Sequence, residues 1–393
     1  MSLHNQVIYL DNNATTPIDK RVLEAMMPYL THDFANASST HQFGLGAYEA
    51  VKNARKKVAQ LISAEPHEII FTSGATEAIN LAIKGVAENY QTKGKHLITV
   101  ATEHSAVLDT CAYLETKGYE IDYQGVQPDG LLDLNELKAA IREDTILVSV
   151  MYANNETGVV QPIQEIATIA HSAGAFFMTD GTQAVGKIPV DVDELGIDLM
   201  CFSGHKIYAP KGVGALFIRQ RGNRIKIPAL LHGGGHERGL RSGTLNVPGI
   251  VALGTACEIA QREMETNQST IGALRDYLEN SLLQIEDTYL NGSRDKRLYN
   301  VSNIIFQGAD SDAMIMGLSN PENDSPLIAV SNGSACTSTS IEPSHVLTAM
   351  GLDEMQAFSS LRFSIGKFNK REELEIVISE VKRVVQSMKA LSV

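Results

Sequence analysis

The sequence predicts an α/β protein with a mainly parallel sheet, and two observations support this prediction. From about residue 45 to residue 220, short apolar runs typical of buried strands alternate with segments of helical apolar spacing. Such alternation is typical of a parallel sheet covered by helices. After Gly249 the pattern changes to a long amphipathic region followed by strand-like and helix-like runs, which indicates a smaller α+β region.

The individual elements follow from these runs. The predicted strands of the first region are Ile69–Phe71, His96–Val100, Ile146–Met151, Ala175–Thr179, Leu199–Phe202 and Val213–Phe217. The predicted helices between them include Ala47–Leu61, Glu77–Tyr90 and Ile163–His171. In the second region we predict one or two helices over Val251–Ile285, strands at Val301–Phe306, Leu327–Val330 and Leu361–Ile365, and helices at Asp310–Leu318 and Glu372–Leu391. A chain of 393 residues exceeds one typical core, so we expect two domains.

Composition and charge narrow the classes of function. Lysine and arginine total 33 against 46 aspartates and glutamates, and the net charge of −13 argues against nucleic-acid binding through a broad basic face. The chain holds no run of about 20 apolar residues, so we predict no membrane span. Its start lacks a basic segment followed by an apolar one, so we expect no secretion signal and a cytoplasmic protein. Cys111, Cys201, Cys257 and Cys336 lack the spacing of a zinc site or a dithiol and should be free thiols in a reducing cytosol.

The most informative stretch is Ser203–Lys206, which follows the largely apolar run Ile197–Phe202. This order delivers a lysine to the edge of a hydrophobic core. Burial disfavours the ammonium form, so a lysine held there tends to become a neutral nucleophile. A neutral amine beside phosphate-binding groups is what a pyridoxal-phosphate Schiff base requires. The alternative, for Lys206 taken alone, is a surface lysine after a strand.

Three more predicted strands are followed by polar side chains. His104, Asn155 and Asp180 each follow a strand, and Gln183 lies three residues beyond Asp180. An aspartate there can keep a pyridinium nitrogen protonated, a histidine can stack on a planar cofactor, and a glutamine can donate to a phenolic oxygen. Each has an ordinary alternative, such as a helix N-cap for Asp180. Their coincidence with Lys206 at one edge of a sheet predicts a cofactor site.

A phosphate site is indicated where the predicted strand Glu68–Ser73 meets the helix that Gly74 opens. Backbone N–H groups at the helix start, together with the Thr76 hydroxyl, would hold an anion. Gly74 allows the backbone to approach closely. The alternative is an ordinary helix cap.

Two residues near the C-terminal end have the chemistry of a substrate site. Cys336 lies among the small polar residues of Ser331–Ser338, which suit a thiol nucleophile that must travel. The other three cysteines lie in apolar or helical patterns and are expected to be structural. Arg362 is charged within the apolar run Leu361–Ile365, and a buried arginine needs an anion, such as a substrate carboxylate.

Taken together, these motifs resemble those of the cysteine desulfurases, pyridoxal-phosphate enzymes of iron–sulfur cluster and nitrogenase assembly. The resemblance runs essentially from end to end and includes Tyr9–Pro17, Phe71–Glu77, Thr102–His104, Ser203–Lys206, Gly233–Arg238, Arg241–Thr244, Gly333–Cys336 and Leu361–Ser364. It implies fold type I of the pyridoxal-phosphate-dependent transferases, working as a homodimer. The domains expected are a large one over residues 15–260 and a small one of residues 1–14 and 261–393.

The resemblance also implies a reaction and residue roles. L-cysteine becomes L-alanine, and its sulfur passes from a persulfide on Cys336 to an acceptor protein such as an iron–sulfur scaffold. Lys206 forms the Schiff base with pyridoxal 5'-phosphate, and His104 stacks on the ring. The other cofactor-binding residues implied are Ala75, Thr76, Asn155, Asp180, Gln183, Ser203, His205 and, from the partner subunit, Thr244. Asn155 and Arg362 hold the substrate. No metal site is expected, since three glycines separate His232 from His236 and disfavour a helix.

Other functions stay open at this point. An aminotransferase, or a selenocysteine or cystine lyase, on the same fold needs no mobile thiol, so dependence on Cys336 separates these enzymes from a desulfurase. A catalytically silent dimer that acts as a scaffold would be expected to lack Lys206 or Asp180, and both are present. Iron–sulfur scaffolds, tRNA-thiolation proteins and DNA-sulfur modification systems are all candidate acceptors.

Overall fold

The computed structural model describes residues 7–222, 224–319, 326–333 and 342–391. The strands are β1 (Val7–Tyr9), β2 (Ile69–Thr72), β3 (His96–Val100), β4 (Glu120–Gln124), β5 (Thr145–Ser149), β6 (Phe176–Asp180), β7 (Leu199–Ser203), β8 (Gly214–Ile218), β9 (Thr288–Leu290), β10 (Val301–Phe306), β11 (Leu327–Ala329) and β12 (Ser360–Ser364). The helices are α1 (Lys20–Met26), α2 (Pro28–Thr31), α3 (Gln42–Leu61), α4 (Ala75–Tyr90), α5 (Ser105–Glu115), α6 (Leu134–Ala140), α7 (Ile163–Ser172), α8 (Val247–Leu282), α9 (Ser311–Ser319), α10 (His345–Ala349), α11 (Glu354–Phe358) and α12 (Arg371–Leu391).

A seven-stranded sheet forms the centre of the molecule, in the order β2-β8-β7-β6-β5-β3-β4. All neighbouring strands are parallel except that β8 runs antiparallel to both β2 and β7. Every residue of β3, β5, β7 and β8 is buried, as expected of a sheet covered on both faces. The predicted fold class is therefore confirmed.

Helices cover both faces of this sheet. Successive residues of a strand point to opposite faces, so Phe177 packs into the core under α3, α7 and α8, and Met178 packs into the core under α4 and α5. The six strands predicted for this region are present, and β3 has the predicted bounds. β4 was missed, because its residues are half-buried or exposed and lack an apolar run.

The edge strand β4 explains how four functional strand ends stay together. Along the chain it lies between β3 and β5, but in the sheet it lies outside β3. The strands β3, β5, β6 and β7 are consequently direct neighbours, and their carboxyl ends meet at one edge.

A second core is built on the antiparallel sheet β12-β10-β9 and the parallel pair β1-β11. Phe306 and Phe363 are buried there beneath α9 and α12. The 36-residue helix α8 joins both regions, since Leu253 packs into the first core and Leu278 into the second. The domain division near residue 260, which lies within this helix, stays a prediction. Within the described ranges, the model contains no helix with both the length and the apolar character needed to span a bilayer.

Candidate active site

A cavity of about 700 Å³ lies at the carboxyl ends of the central strands. Ten residues predicted for the site line it: Ala75, Thr76, His104, Asn155, Asp180, Gln183, Ser203, His205, Lys206 and Arg362. They come from both regions of the chain, so the cavity lies between the central sheet and the second core. The coincidence of strand ends that the sequence predicted is therefore present in three dimensions.

Lys206 lies in the 3₁₀ turn Gly204–Lys206 that follows β7 directly. Its Nζ donates to the carbonyl oxygens of Asn13 (2.6 Å) and Ala14 (2.7 Å). Burial, and after it the positive charge of Arg362, lowers the pKa of this amine to about 8. The neutral, nucleophilic form of Lys206 is therefore far more populated near neutral pH than it is for an exposed lysine.

Asp180 ends β6 and is 5% exposed. Its Oδ1 accepts from the backbone N–H of Thr182 at 2.8 Å and from the thiol of Cys201 at 3.4 Å. The carboxylate thus caps the following turn, as the ordinary interpretation predicts, and also lines the cavity. One buried aspartate performs both tasks because it has two oxygens.

His104 lies at the N-cap of α5, where its Nδ1 accepts from the N–H of Ala106 at 3.0 Å. Its ring faces the open cavity. Desolvation, and then the charge of Lys206, lowers the pKa of His104, although Asp180 opposes the change. Because Nδ1 is an acceptor, the neutral ring carries its proton on Nε2.

The start of α4, where the sequence predicts a phosphate site, forms one end of the cavity. Gly74 is its N-cap, and Ala75 and Thr76 form its first turn. A Cβ on Gly214 would lie 2.7 Å from the Gly74 Cα, so only glycine allows β8 to approach this turn so closely. His205 lies beside the same end, and burial followed by the charges of Lys206 and Lys211 lowers its pKa to about 4. A neutral His205 can donate one hydrogen bond to an anion without adding charge.

Arg362 lies in β12 with its guanidinium buried in the wall of the cavity. Nη2 donates to Asp11 Oδ1 at 2.7 Å, and Nη1 donates to the carbonyl oxygen of Asn155 at 3.1 Å. Its Nε has no partner in the part of the chain that the structure describes. A buried donor without a partner fits an arginine that waits for an anion.

The segment after β1 contains functional residues that the sequence analysis missed. Asn13 is 1% exposed, and its carbonyl oxygen accepts from both Lys206 Nζ and Gln183 Nε2 (2.9 Å). Its own amide nitrogen donates to the carbonyl oxygen of Asn155 at 3.0 Å. The sequence signal for Asn13 is the motif Tyr9–Pro17, which belongs to the resemblance without implying a role for this residue. Lys211, which lines the same cavity, was also missed.

The two remaining predicted site residues are Cys336 and Thr244. Cys336 lies outside the described residues, although Ser331 and Gly333, which precede it, line the cavity wall. Thr244 is exposed and does not line the cavity of its own chain. The other three cysteines are buried, and desolvation raises the pKa of each thiol, to about 12 for Cys111. They are therefore poor nucleophiles, as predicted.

The donor set fits pyridoxal 5'-phosphate. The amine of Lys206 can react with the aldehyde of this cofactor, and the buried Asp180 carboxylate can pair with its pyridinium nitrogen. The start of α4 can bind its phosphate. Within the described residues, a Cβ on Gly74 would meet only the Ser203 Oγ, 3.7 Å away, and both residues line the cavity, so glycine at this position keeps the space beside the helix start open.

Comparison with known proteins gives the class first. The class-V aminotransferase family matches residues 8–377, nearly the whole chain. A solved structure of a NifS-like protein superposes with a TM-score of 0.90 at 37% identity and covers 97% of this chain and 99% of that one. The structure of SspA in complex with cysteine superposes with a TM-score of 0.80 at 38% identity over 92% of this chain and all of that one. This fold is the pyridoxal-phosphate-dependent transferase fold of type I.

The particular family follows from a curated relative. Cysteine desulfurase IscS of Edwardsiella ictaluri is 52% identical over 388 residues, which cover 98% of this chain and 94% of the relative. The chain belongs to the cysteine desulfurases of the class-V aminotransferase family.

Proposed function

We propose that this cysteine desulfurase holds pyridoxal 5'-phosphate on Lys206 and transfers the sulfur of L-cysteine through Cys336. The observation that carries the proposal is the meeting of a buried amine, a buried carboxylate and a helix start in one cavity. The bound cofactor supplies an electron sink for the charge left when a proton leaves the substrate α-carbon. The cysteine complex of the related SspA supports cysteine as the substrate.

The cavity residues hold and orient the cofactor. Asp180 would hold the ring nitrogen in its protonated form, which makes such a ring a better acceptor of electrons. His104 would stack on the ring and, with its proton on Nε2, relay protons at the substrate. Ala75, Thr76, Ser203 and His205 would bind the phosphate, and Thr244 of the partner subunit would complete this set.

Arg362 and Asn155 hold the substrate. The guanidinium of Arg362 binds the substrate carboxylate, and its bonds to Asp11 and to the Asn155 carbonyl fix its plane. The Asn155 side chain, which lines the cavity, forms hydrogen bonds to the cofactor ring and to the substrate. This arrangement positions the α-proton near Lys206 and His104, which move it.

Cys336 performs the sulfur transfer. Its thiolate attacks the sulfur of the bound substrate, so an S–S bond forms and the C–S bond breaks. The electron pair of the broken bond stays on carbon, which is protonated to give alanine, and Cys336 carries the persulfide. A thiolate of an acceptor protein then takes the outer sulfur, for which an iron–sulfur scaffold is the acceptor we favour. The reaction belongs in the cytoplasm, where these thiols stay reduced.

A second copy of the chain is the expected structural partner. Phe34, Phe43 and Tyr48 are large apolar side chains with 68%, 43% and 50% exposure at and near the start of α3. Burial of such a patch favours association. A homodimer would also explain why Thr244 is exposed outside its own cavity. Sedimentation of the purified protein at twice the chain mass supports this partner, and a monomer at micromolar concentration contradicts it.

The role of Cys336 is tested by replacing it with alanine. We expect Cys336→Ala to keep the yellow colour of the bound cofactor and to form neither persulfide nor alanine at the wild-type rate. Cys111→Ala, which removes a buried thiol of raised pKa, is the matched control and should retain activity. Wild-type rates in Cys336→Ala would favour a lyase or an aminotransferase instead.

The role of Lys206 is tested by cofactor uptake as a function of pH. Because the neutral amine reacts with the aldehyde, uptake should accelerate with rising pH and level off above about pH 8. Lys206→Ala should form no borohydride-stable link to the cofactor. A link found at another lysine would remove Lys206 from the site.

A further inference from the structure

A second buried lysine lies behind the cavity, and no role in the mechanism uses it. Lys187 is 9% exposed and does not line the cavity of about 700 Å³. Its Nζ lies 2.6 Å from Gln183 Oε1 and 3.1 Å from the carbonyl oxygen of Gln183. Among the described residues, its hydrogen-bond partners are these two oxygens, and the one charged group that shifts its pKa is Lys206, with no carboxylate beside it. An amine buried without a carboxylate is costly, so its contacts with Gln183 need an explanation.

The local turn brings Lys187 back onto Gln183. The N–H of Lys187 donates to the carbonyl oxygen of Ala184 at 2.9 Å, and the preceding Gly186 has a φ of +78°. A Cβ on Gly186 would lie 2.9 Å from Ile207 Cγ2, so the turn requires glycine. The backbone is therefore built to return the Lys187 side chain to the residue four positions earlier.

These contacts fix the orientation of the Gln183 side-chain amide, with its oxygen toward Lys187 and its nitrogen toward Asn13. Both atoms that Lys187 contacts are oxygens, so Lys187 donates to each of them. The opposite end of the amide, Nε2, donates to the carbonyl oxygen of Asn13 at 2.9 Å. An amide nitrogen has two hydrogens, and Gln183 lines the cavity. With its oxygen held by Lys187, Gln183 presents a donor and not an acceptor to the cavity.

We propose that Lys187 is a positioning residue: it holds the Gln183 amide so that Nε2 donates to the phenolic oxygen of the bound cofactor, and it strengthens that donor. This inference rests on the proposed binding of pyridoxal phosphate. When the oxygen of an amide accepts a hydrogen bond from an amine, the amide is polarised and its N–H groups become stronger donors. Hydrogen bonds in such chains therefore reinforce one another. Burial and then the charge of Lys206 lower the pKa of Lys187 to about 7. This agrees with an amine whose role is its hydrogen bonds to Gln183 and not a charge exposed to water.

The test is a pH titration of the visible absorption band of the holoenzyme. A donor at the phenolic oxygen stabilises its deprotonated form, so loss of that donor raises the pH midpoint of the band. We expect Lys187→Met, which keeps the length of the stem and removes the donor, to raise the midpoint by about half a pH unit. Lys187→Arg, which keeps a donor, should titrate close to wild type. The charged groups around the cofactor, Lys206, His104, Asp180 and Arg362, are unchanged in every variant.

A double-mutant cycle separates this role from a general effect. In a Gln183→Ala background, Lys187→Met should leave the midpoint where Gln183→Ala alone sets it. Lys138→Met, which changes an exposed lysine of α6, is the matched control and should titrate as wild type. If Lys187→Met does not fold, Lys187→Ala removes the same donor and should give the same shift.

The outcomes are distinguishable. A wild-type midpoint in Lys187→Met or Lys187→Ala overturns the inference, and so does a shift that persists in the Gln183→Ala background. A wild-type protein that shows no visible band with pyridoxal phosphate instead overturns the proposed function, because no cofactor is then bound.

Discussion

Two buried arginines of this molecule have opposite hydrogen-bonding patterns. The side chains of Arg297 and Arg362 are 3% and 6% exposed. Arg297 forms two bonds to Glu279, at 2.6 and 2.7 Å, and its Nε donates to the carbonyl oxygen of Arg294 at 3.2 Å. Arg362 forms one bond to Asp11 and one to a carbonyl oxygen, and its Nε has no partner in the described part of the chain.

The difference shows how burial of the same residue type serves two purposes. Glu279 also accepts from Ser302, and these bonds keep its pKa low although burial opposes ionisation. Each of the three guanidinium nitrogens of Arg297 thus has a partner, and the pair ties α8 to the segment before β10. Arg362 lies beside a cavity with one donor nitrogen, Nε, that has no partner among the described residues, which suits recognition of an anion.

The largest effect is expected from breaking the satisfied pair. Arg297→Met leaves the Glu279 carboxylate buried without its cation, so we expect a loss of about 3–5 kcal/mol in the free energy of unfolding. Urea unfolding measures this loss. The double variant Arg297→Met with Glu279→Met should recover most of it, since an apolar pair replaces the ions. A loss below about 1 kcal/mol in the single variant would show that the pair is not structural.

The second-largest effect is expected at Arg362, whose Nε lacks a partner among the described residues, and it is an effect on catalytic activity. Arg362→Lys keeps the charge but loses the planar pair of donors, so kcat/KM for L-cysteine should fall roughly 100-fold, equivalent to about 2.7 kcal/mol. Steady-state kinetics measures this fall, while the urea midpoint should change little. Binding of cysteamine, which lacks the carboxylate, should be similar in both enzymes. An equal loss for cysteamine would contradict carboxylate recognition.

Glu103 is a buried carboxyl group that, unlike Glu279, has no arginine partner among the described residues, so its effect on stability should depend on pH. Glu103 is fully buried, and burial followed by the charge of Asp180 raises its pKa well above 4.5. The folded protein therefore keeps the proton of Glu103 to a higher pH than the unfolded chain does, so the stability of the wild type falls as pH rises above about 4.5. Glu103→Gln lacks this loss, so it should gain stability relative to wild type with rising pH, by up to about 1.4 kcal/mol for each pH unit until Glu103 ionises in the folded protein as well. Parallel pH profiles of the two unfolding free energies would contradict a protonated Glu103.

The smallest effect is expected at an exposed arginine. Arg142 lies within 2.9 Å of Asp144 and 2.7 Å of Glu120, but its side chain is 43% exposed. Water and salt screen such pairs, so Arg142→Ala should leave the urea midpoint unchanged within error. A clear loss of stability would show that the number of ionic contacts, and not burial, determines their value.

Much of the site was predictable because it depends on local order along the chain. Apolar strands that end at Asp180, or that His104 or Lys206 follows within a few residues, are visible as patterns, and parallel strands bring such ends together. The polar edge strand β4 lacked such a pattern, and its absence from the prediction did not disturb the site because β4 lies outside β3. The bounds of β3 and β10 were predicted correctly, and most other predicted elements differ from the structure by a few residues at their ends, whereas the short strands β1 and β9 were not predicted.

The sequence by itself determined the fold class, the family and most of the polar residues that were predicted for the site and line the cavity. Only the tertiary structure decided what holds those residues, because the contacts join segments far apart in the chain. Asn13 meets Lys206 across nearly two hundred positions, and Asp11 meets Arg362 across even more. No local periodicity specifies such pairs, since they arise where β1 pairs with β11 and the following segment runs beside β12. The patterns predicted the reactive groups, and packing of distant segments fixed their partners, orientation and pKa.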